Sequence, residues 1–380
     1  METLTTPFGS LALARYPRRK RETLRAWDAA DEYLLEHIQQ EDLLTSTRRI
    51  LILNDTFGAL AVSLCKGSNK EIASVSDSWL AHQGCKANLA GNNLDAEAVS
   101  LHSSLDWPEG AFDLVLIKVP KTSSLLEDQL YRLREHLDSK SVVLAAGMAK
   151  GIHTSTLKQF EQLIGETRTS LAKKKARLIF VEPDLSKNVD KENPYPISYF
   201  LDGYDFQIHN HANVFSREKL DIGTRFFLEH IPGIDEPRQI IDLGCGNGLV
   251  GIVAARKNPS STITFVDESF MAVESAKLNF ESSFPNRNAN FQVTDCLAGI
   301  APDSADLILN NPPFHQQHAV GDHIAMQMFE ESKKVLKQHG ELWVIGNRHL
   351  GYHVKLKRLF GNCQTVASNP KFVILKAFKR

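Results

Sequence analysis

Short runs of apolar residues, rich in β-branched types, recur along the whole chain and are separated by longer stretches in which apolar positions keep a helical spacing. In the second half these runs are Gln239-Leu243, Thr262-Asp267, Asn290-Thr294, Ala305-Asn310 and Glu341-Gly346, with helical patterns such as Phe270-Phe280 and Ala325-Lys337 between them. Alternation of this kind predicts a mostly parallel sheet covered by helices on both faces. The tail reads differently. Gln364-Ser368, the turn Asn369-Pro370-Lys371 and Phe372-Phe378 predict an antiparallel pair at the end of the sheet.

The first half follows the same grammar, with strand runs at Arg49-Leu53, Ile72-Ser76, Phe112-Ile117, Ser141-Ala146 and Arg177-Val181. Between the halves, residues 182–196 are polar and contain Pro183, Pro194 and Pro196. A boundary is expected there, followed by a hairpin of Ser198-Leu201 and Tyr204-Ile208 around a primed Asp202-Gly203 turn. The expected division is 1–190, a linker with the hairpin at 191–213, and 214–380. Laid on each other with a shift of 190, the halves match: Leu51-Ile52-Leu53 falls on Ile241-Asp242-Leu243, Gly58 on Gly248 and Asp77 on Asp267. A shift of 191 brings Lys86 and Asn88 onto Lys277 and Asn279, and 193 brings Asp113-Leu116 onto Asp306-Leu309. The near-constant offset predicts two copies of one fold.

With 42% hydrophobic and 23% charged residues the 380-residue chain has globular composition, which excludes a disordered or collagen-like protein. Its 44 basic and 45 acidic side chains nearly cancel, so any affinity for polyanions must come from local clusters. Five cysteines with no C-x-x-C pair point to reduced thiols in the cytoplasm and to no structural zinc. No apolar run approaches the ~18 residues that span a bilayer, and no signal peptide is expected.

The sharpest local feature is Asp242-Leu243-Gly244-Cys245-Gly246-Asn247-Gly248, between a strand and a helical pattern. Glycines there permit a tight turn and close approach of a ligand to the backbone. Asp267, 19 residues beyond Gly248 at the end of the next strand, is placed to hydrogen-bond ribose hydroxyls. An adenosine-type cofactor follows. A nicotinamide fingerprint would need G-x-G-x-x-G, and here the third glycine comes too early. The second feature is Asn311-Pro312-Pro313-Phe314 after the strand Ala305-Asn310. It resembles the N-P-P-[F/Y] motif of methyltransferases that modify planar nitrogen groups, and the resemblance implies an exocyclic amine as acceptor; such an amine, conjugated to a ring, is a poor nucleophile because its lone pair is delocalised. The Asn311 side-chain carbonyl and the Pro312 backbone carbonyl can accept its two hydrogens, the prolines stiffen the loop, and Phe314 can stack on a flipped base.

The D-x-G-x-G-x-G form resembles motif I of the class I S-adenosylmethionine-dependent methyltransferases, and Asn311 to Phe314 resembles the N-P-P-[F/Y] motif of members that methylate planar nitrogen groups. Phe215-Ser216-Arg217, Leu220-Asp221-x-Gly223-Thr224 and His315-Gln316-Gln317-His318 make the chain similar to the bacterial ribosomal RNA guanine 2-amino methyltransferases. Residues 26–35, Leu116-Thr122 and His209-Phe215 are most like the members acting on the large subunit. The resemblance implies two tandem class I methyltransferase (Rossmann-like) α/β domains, the N-terminal one degenerate. It implies S-adenosyl-L-methionine as cofactor, with Asp242 near the methionine amino group, Asp267 on the ribose and Asp295 at the adenine. Phe215, Gly244, Gly246, Gly248 and Asn311 complete the cofactor set, and Asn311, Pro312, Pro313 and Phe314 the catalytic one. The implied substrate is a guanine of large-subunit ribosomal RNA, naked or partly assembled, bound by a monomer. Three rival readings are the same reaction on small-subunit RNA, a non-catalytic RNA-binding assembly factor, and a glutamine methyltransferase acting on a release factor.

In the first copy Asn54 and Thr56 stand against Gly244 and Gly246, and Lys118-Val119-Pro120-Lys121 against Asn311-Pro312-Pro313-Phe314. Side chains on the lost glycines would crowd a cofactor, and a lysine cannot accept a hydrogen bond. The first domain is therefore expected to be inactive, kept for RNA docking or for stability. His209-x-His211 and His315-x-x-His318 lack the carboxylates or thiolates of a zinc site, so no metal is expected. The histidines at 315 and 318 are expected to shape the mouth of the base pocket. Three basic clusters are candidates for phosphate contacts: residues 347–380, with eight Lys or Arg and no acid; Arg15, Arg18, Arg19, Lys20 and Arg21; and Arg168, Lys173, Lys174, Lys175 and Arg177.

Overall fold

The structure, a computed structural model, describes residues 2–380 apart from 20, 21, 188, 190, 191, 202, 205, 235 and 314–317, and leaves the side chains of 318–322 aside. The chain divides into two units, Met1–Tyr195 and Pro196–Arg380. The first begins with the hairpin β1 (Glu2–Thr6) and β2 (Gly9–Leu13), then α1 (Ala29–Gln40) and a short α2 (Leu43–Ser46). Next come β3 (Arg49–Leu53), α3 (Ala59–Gly67), β4 (Glu71–Ser76), α4 (Trp79–Gly91), β5 (Val99–Ser103) and β6 (Leu114–Lys118). The unit ends with α5 (Ser123–Leu133), β7 (Val142–Met148), α6 (Thr154–Leu163), β8 (Gly165–Thr169) and β9 (Ala176–Pro183).

The second unit repeats this plan. It has the hairpin β10 (Ile197–Leu201) and β11 (Phe206–Asn210), α7 (Ile222–His230), β12 (Gln239–Leu243), α8 (Leu249–Lys257), β13 (Thr262–Asp267), α9 (Phe270–Ser283), β14 (Asn290–Val293) and β15 (Ala305–Asn310). It closes with α10 (His318–Val335), β16 (Leu336–Asn347), α11 (Tyr352–Phe360), β17 (Gln364–Ser368) and β18 (Phe372–Phe378). The sheet orders are β5-β4-β3-β6-β7-β9-β8 and β14-β13-β12-β15-β16-β18-β17, strand for strand the same. Five strands of each are parallel, and the last two join antiparallel.

Near-continuous apolar strands are what a sheet buried on both faces requires. Ile50, Ile52, Leu114 and Leu116 point into one core of the first unit, and their chain neighbours Leu51, Leu53, Val115 and Ile117 into the other. In the second unit Ile240, Phe265 and Leu307 face one layer while Ile241, Val266 and Ile308 face the other.

A carboxamide fixes each hairpin to the helix after the second parallel strand. Asn88 Oδ1 accepts from the Ala14 amide, and its Nδ2 donates to Ala14 O and Phe57 O. Asn279 Oδ1 accepts from the His209 amide, and its Nδ2 donates to His209 O and Asn247 O. The duplication therefore includes the hairpins, and residues 196–213, which the sequence reading grouped with a linker, are counted in the second unit. The hairpin β10–β11 also differs in register. Leu201 pairs with Phe206, so its connection has four residues rather than two, and Asp202 lies outside the described residues. The helix expected to reach Lys337 stops at Val335, because Leu336 already pairs with Ala305 and opens β16. The strands β1, β2, β5 and β8 were not expected.

Candidate active site

Every described residue of the two motifs lies at the C-terminal edge of the second sheet or in the loops leaving it, where open α/β sheets bind ligands. After β12 the chain turns through three glycines in the left-handed region, Gly244 (φ 72°), Gly246 (φ 55°) and Gly248 (φ 80°). A Cβ on Gly248 would lie 2.7 Å from Ala276 Cβ, so this glycine lets α8 start against α9. A Cβ on Gly246 would meet nothing within 4 Å; this glycine faces open space.

Two carboxylates hold the turn. Asp242 is buried, and its Oδ2 accepts from the Gly251 amide at 2.8 Å, which caps α8. Burial pushes its pKa up to about 8, the Gly251 hydrogen bond opposes this, and the Asp267 charge adds to it. Asp267 is half-buried, with Oδ2 accepting from the Gly246 amide at 3.0 Å and Oδ1 from the Ser269 amide at 3.1 Å. Desolvation raises its pKa against the pull of those amides. Among the described residues neither carboxylate has a basic partner. An open cradle beside two uncompensated acids fits a cationic ligand carrying a ribose, as S-adenosylmethionine is. Asp295, just past β14, accepts from Gln327 Nε2 at 3.0 Å, and Gln327 also bonds Glu331. Phe215, placed by resemblance in the cofactor set, sits on the connection from β11 to α7 and is 58% exposed.

At the end of β15, Asn310 Nδ2 donates to Leu243 O at 2.9 Å and ties the strand to the glycine turn. Asn311 Nδ2 donates to Thr224 Oγ1 at 3.0 Å. Among the described residues the buried Oδ1 atoms of Asn310 and Asn311 have no hydrogen-bond partner, and buried acceptors are nearly always satisfied. Pro312 is buried and Pro313 exposed. Phe314 and His315 lie outside the described residues, as does the His318 side chain, so the base-stacking and pocket-mouth expectations rest on sequence. From sequence alone Asp221-x-Gly223-Thr224 has no role of its own beyond the resemblance. The fold supplies one by pairing Thr224 with Asn311 across 87 residues, a contact no local pattern announces.

The corresponding edge of the first sheet is filled from within. Asn54 keeps the left-handed backbone of Gly244 (φ 66°), which asparagine tolerates. Its carboxamide exchanges two 2.8 Å hydrogen bonds with Gln129 and donates to Lys118 O. Lys118, 12% exposed, bonds Asp28 at 2.8 Å and Asp31 at 2.7 Å, both at the start of α1. Burial alone would lower the lysine pKa; the two carboxylates more than reverse it. Asp55 takes over the capping role of Asp242, accepting from the Leu60 and Ala61 amides, and burial with the nearby Asp31 charge pushes it up to about 7.

The basic clusters are partly neutralised. Lys173 pairs with Glu36, Lys174 with Glu32 and Arg15 with Glu22, while in the tail Lys376 pairs with Glu341 and Lys379 with Asp303. Arg348 and Lys371 stay exposed at the catalytic edge, where the Arg348 amide donates to Lys371 O. Among the described residues no cluster of three or more His, Cys, Asp or Glu is placed to hold a metal, and no helix is long and apolar enough to cross a membrane.

Comparison with known proteins agrees with this geometry. Residues 1–185 match the RLMG N-terminal domain and residues 205–376 the methyltransferase small domain. A T. thermophilus 16S rRNA N2 methyltransferase, solved with AdoMet and guanosine, superposes with a TM-score of 0.73 at 22% identity, covering 100% of this chain and 98% of that one. It shares the doubled fold. Proteins named ribosomal RNA large subunit methyltransferase G are 51% identical in Aeromonas salmonicida and 47% in Streptomyces avermitilis, each covering 100% of both chains. In Pseudoalteromonas translucida the identity is 49%, over 97% of this chain and 96% of the relative. At such identity over the full length, the chain belongs to the ribosomal RNA large subunit methyltransferase G family.

Proposed function

We propose that this protein methylates the exocyclic 2-amino group of one guanine in large-subunit ribosomal RNA, using S-adenosylmethionine. The observation that carries the reading is the buried, unpartnered Oδ1 of Asn311 at the edge of the glycine turn. A buried acceptor without a donor is costly unless a ligand brings one. An exocyclic amine has two hydrogens to give, and Pro312 O is the natural second acceptor.

The cofactor would lie along Gly244 to Gly248, with Asp267 accepting from the ribose hydroxyls and Asp295 beside the adenine. When bound it supplies a methyl group already activated on a positively charged sulfur. The chain's own residues do the rest. Asn311 and Pro312 hold the amine hydrogens so that the nitrogen lone pair leaves conjugation and points at the methyl carbon. The proline pair keeps the loop stiff, so little ordering remains at the transition state. Asn311 and Pro312 would keep hold of the amine through the transfer, and the proton it gives up would pass to water. A cationic ligand beside Asp242 and Asp267 would favour their ionised forms, against the burial that raises both pKa values.

The proposal includes a monomer acting in the cytoplasm on naked or partly assembled RNA, without metal. Five cysteines with no disulfide among them support a reducing compartment. Full-length identity to large-subunit relatives favours that subunit over the small one. The test is digestion and chromatography of large-subunit RNA from cells lacking the protein, after incubation with the enzyme. Wild type should yield guanosine with one methyl on its 2-amino group. Asn311→Ala should lower turnover about 10²–10³-fold, the scale of deleting one preorganised transition-state partner, with cofactor affinity little changed. Methyladenosine, ring-nitrogen methylation or a methylated protein glutamine would refute the substrate, and near-normal turnover of Asn311→Ala the mechanism.

A further inference from the structure

We propose that Thr224 and Asp221 are positioning residues that decide which end of the Asn311 carboxamide meets the substrate amine. The proposal rests on the reading of Asn311 given above. A carboxamide turned over by 180° occupies nearly the same space. In one orientation its oxygen accepts from the amine; in the other its NH2 opposes the amine hydrogens, donor against donor. Shape cannot choose between them, so a hydrogen-bonding partner must.

That partner is the Thr224 hydroxyl, 3.0 Å from Asn311 Nδ2. A hydroxyl by itself does not choose either, because it both donates and accepts. The choice comes from Asp221, whose Oδ2 lies 3.4 Å from Thr224 Oγ1 and also accepts from the Thr224 amide at 3.0 Å. An ionised carboxylate only accepts. The hydroxyl proton therefore turns to Asp221, and the hydroxyl lone pairs turn to Asn311. Asn311 must answer with Nδ2, which leaves Oδ1 for the substrate. Carboxylate, hydroxyl and amide form a chain with one direction.

The local sequence is built for this chain. Asp221 is the N-cap of α7 and Thr224 the third residue inside, the spacing at which a cap meets a backbone amide. The β-branched threonine has a stiff χ1, which keeps its hydroxyl in place. A Cβ on Gly223 would lie 3.0 Å from Asp221 Oδ2 and 3.0 Å from the Phe372 ring, so the intervening position is kept bare.

The test uses the full chain. Thr224→Val keeps the shape and removes the hydroxyl, Thr224→Ser restores it, and Asp221→Asn keeps the helix cap while adding a donor. Three quantities are read: turnover on large-subunit RNA at saturating cofactor, cofactor affinity by calorimetry, and the Asn311 side-chain amide signals in spectra of 15N-asparagine-labelled protein without RNA. Thr224→Val should lower kcat about 10–100-fold, the scale of a misoriented reacting group, with cofactor affinity and KM little changed. Thr224→Ser should recover most of that loss, and Asp221→Asn should fall between. The Asn311 amide signals should move in Thr224→Val and stay near wild type in Thr224→Ser. Wild-type turnover in Thr224→Val, equal impairment of both Thr224 variants, full turnover in Asp221→Asn or unmoved amide signals in Thr224→Val would each overturn the proposal. Wild-type protein that leaves this RNA unmethylated would refute the substrate reading instead, and the amide spectra would then decide the relay by themselves.

Discussion

At the end of β6 the first unit places Lys118 between Asp28 and Asp31, while at the end of β15 the second places Asn311 beside Thr224 and Asp221. Both joints tie the fourth parallel strand to the start of a helix that comes before the first strand, α1 in one unit and α7 in the other. In one, Asp28 and Asp31 are paired with a lysine of the same unit. In the other, Asp242 and Asp267 have no cation among the described residues, and Asn311 keeps an acceptor open. The lesson is electrostatic. Lys118 fills the edge of the first sheet with a cation of its own, whereas the edge of the second keeps an open acceptor, Asn311 Oδ1, beside acids that no described base answers. Losing glycines is secondary, since Asn54 keeps the backbone of Gly244.

Removing the internal cation should give the largest effect. Lys118→Met leaves Asp31 buried beside Asp28 and Asp55 and should destabilise the first unit by about 3–5 kcal/mol, the usual result of breaking a buried pair from one side. Urea unfolding checks this, and cofactor affinity measured on the same folded protein should not change. A next, smaller contrast compares the matched acids at the ends of β4 and β13. Asp267→Ala should weaken cofactor binding by roughly 1–3 kcal/mol through lost charge-assisted hydrogen bonds, and Asp77→Ala should leave it alone. Calorimetry showing two sites per chain, or equal effects of the two variants, would break the division into a live and a retired unit.

The smallest effect is a pH dependence. Asp55 has its folded pKa raised from 3.8 to about 7, so the folded unit holds a proton that the unfolded chain has lost. Its contribution to stability is fully present below pH 3.8 and is lost as pH rises through about 7. Asp55→Asn keeps an acceptor for the Leu60 and Ala61 amides and removes the titration. The first unit of this variant should show a flatter stability profile between about pH 5 and 8, the span over which stability is otherwise lost as Asp55 ionises. An unchanged profile would mean that Lys118 already holds Asp55 ionised.

The parallel strands were legible because burial on both faces leaves short, unbroken apolar runs; Arg49–Leu53, Gln239–Leu243 and Ala305–Asn310 fall where their patterns put them. The strands that escaped notice lie at edges or in the first hairpin. Glu2–Thr6 and Gly9–Leu13 alternate weakly, Val99–Ser103 carries serines and a histidine, and Gly165–Thr169 is mostly polar. At the site, spacing exposed Asp242, the glycines, Asp267 and Asn311, because each sits at a fixed offset from a strand end. It could not expose Thr224 as the partner of Asn311, nor Lys118 as the partner of Asp28 and Asp31. Such pairs form only when distant segments meet, and no local pattern encodes them. For the same reason the lysines at 173 and 174 read as a phosphate-seeking cluster when their partners are the glutamates of α1.

The asparagines that fasten the two hairpins bear on the order in which each unit assembles. A β-hairpin closes over a few residues, but its seat here is remote: Asn88 is 74 residues from Ala14, and Asn279 is 70 from His209. The seat exists only after the helix carrying each asparagine has docked on its sheet, and loops of that length close late because their entropy must be spent before the contact rewards it. The fastening is thus expected to form after the rate-limiting step of folding. Interactions absent from that transition state act on unfolding rather than on folding. The carboxamides would then govern how long a hairpin stays seated, and hardly at all how fast the unit reaches its native form.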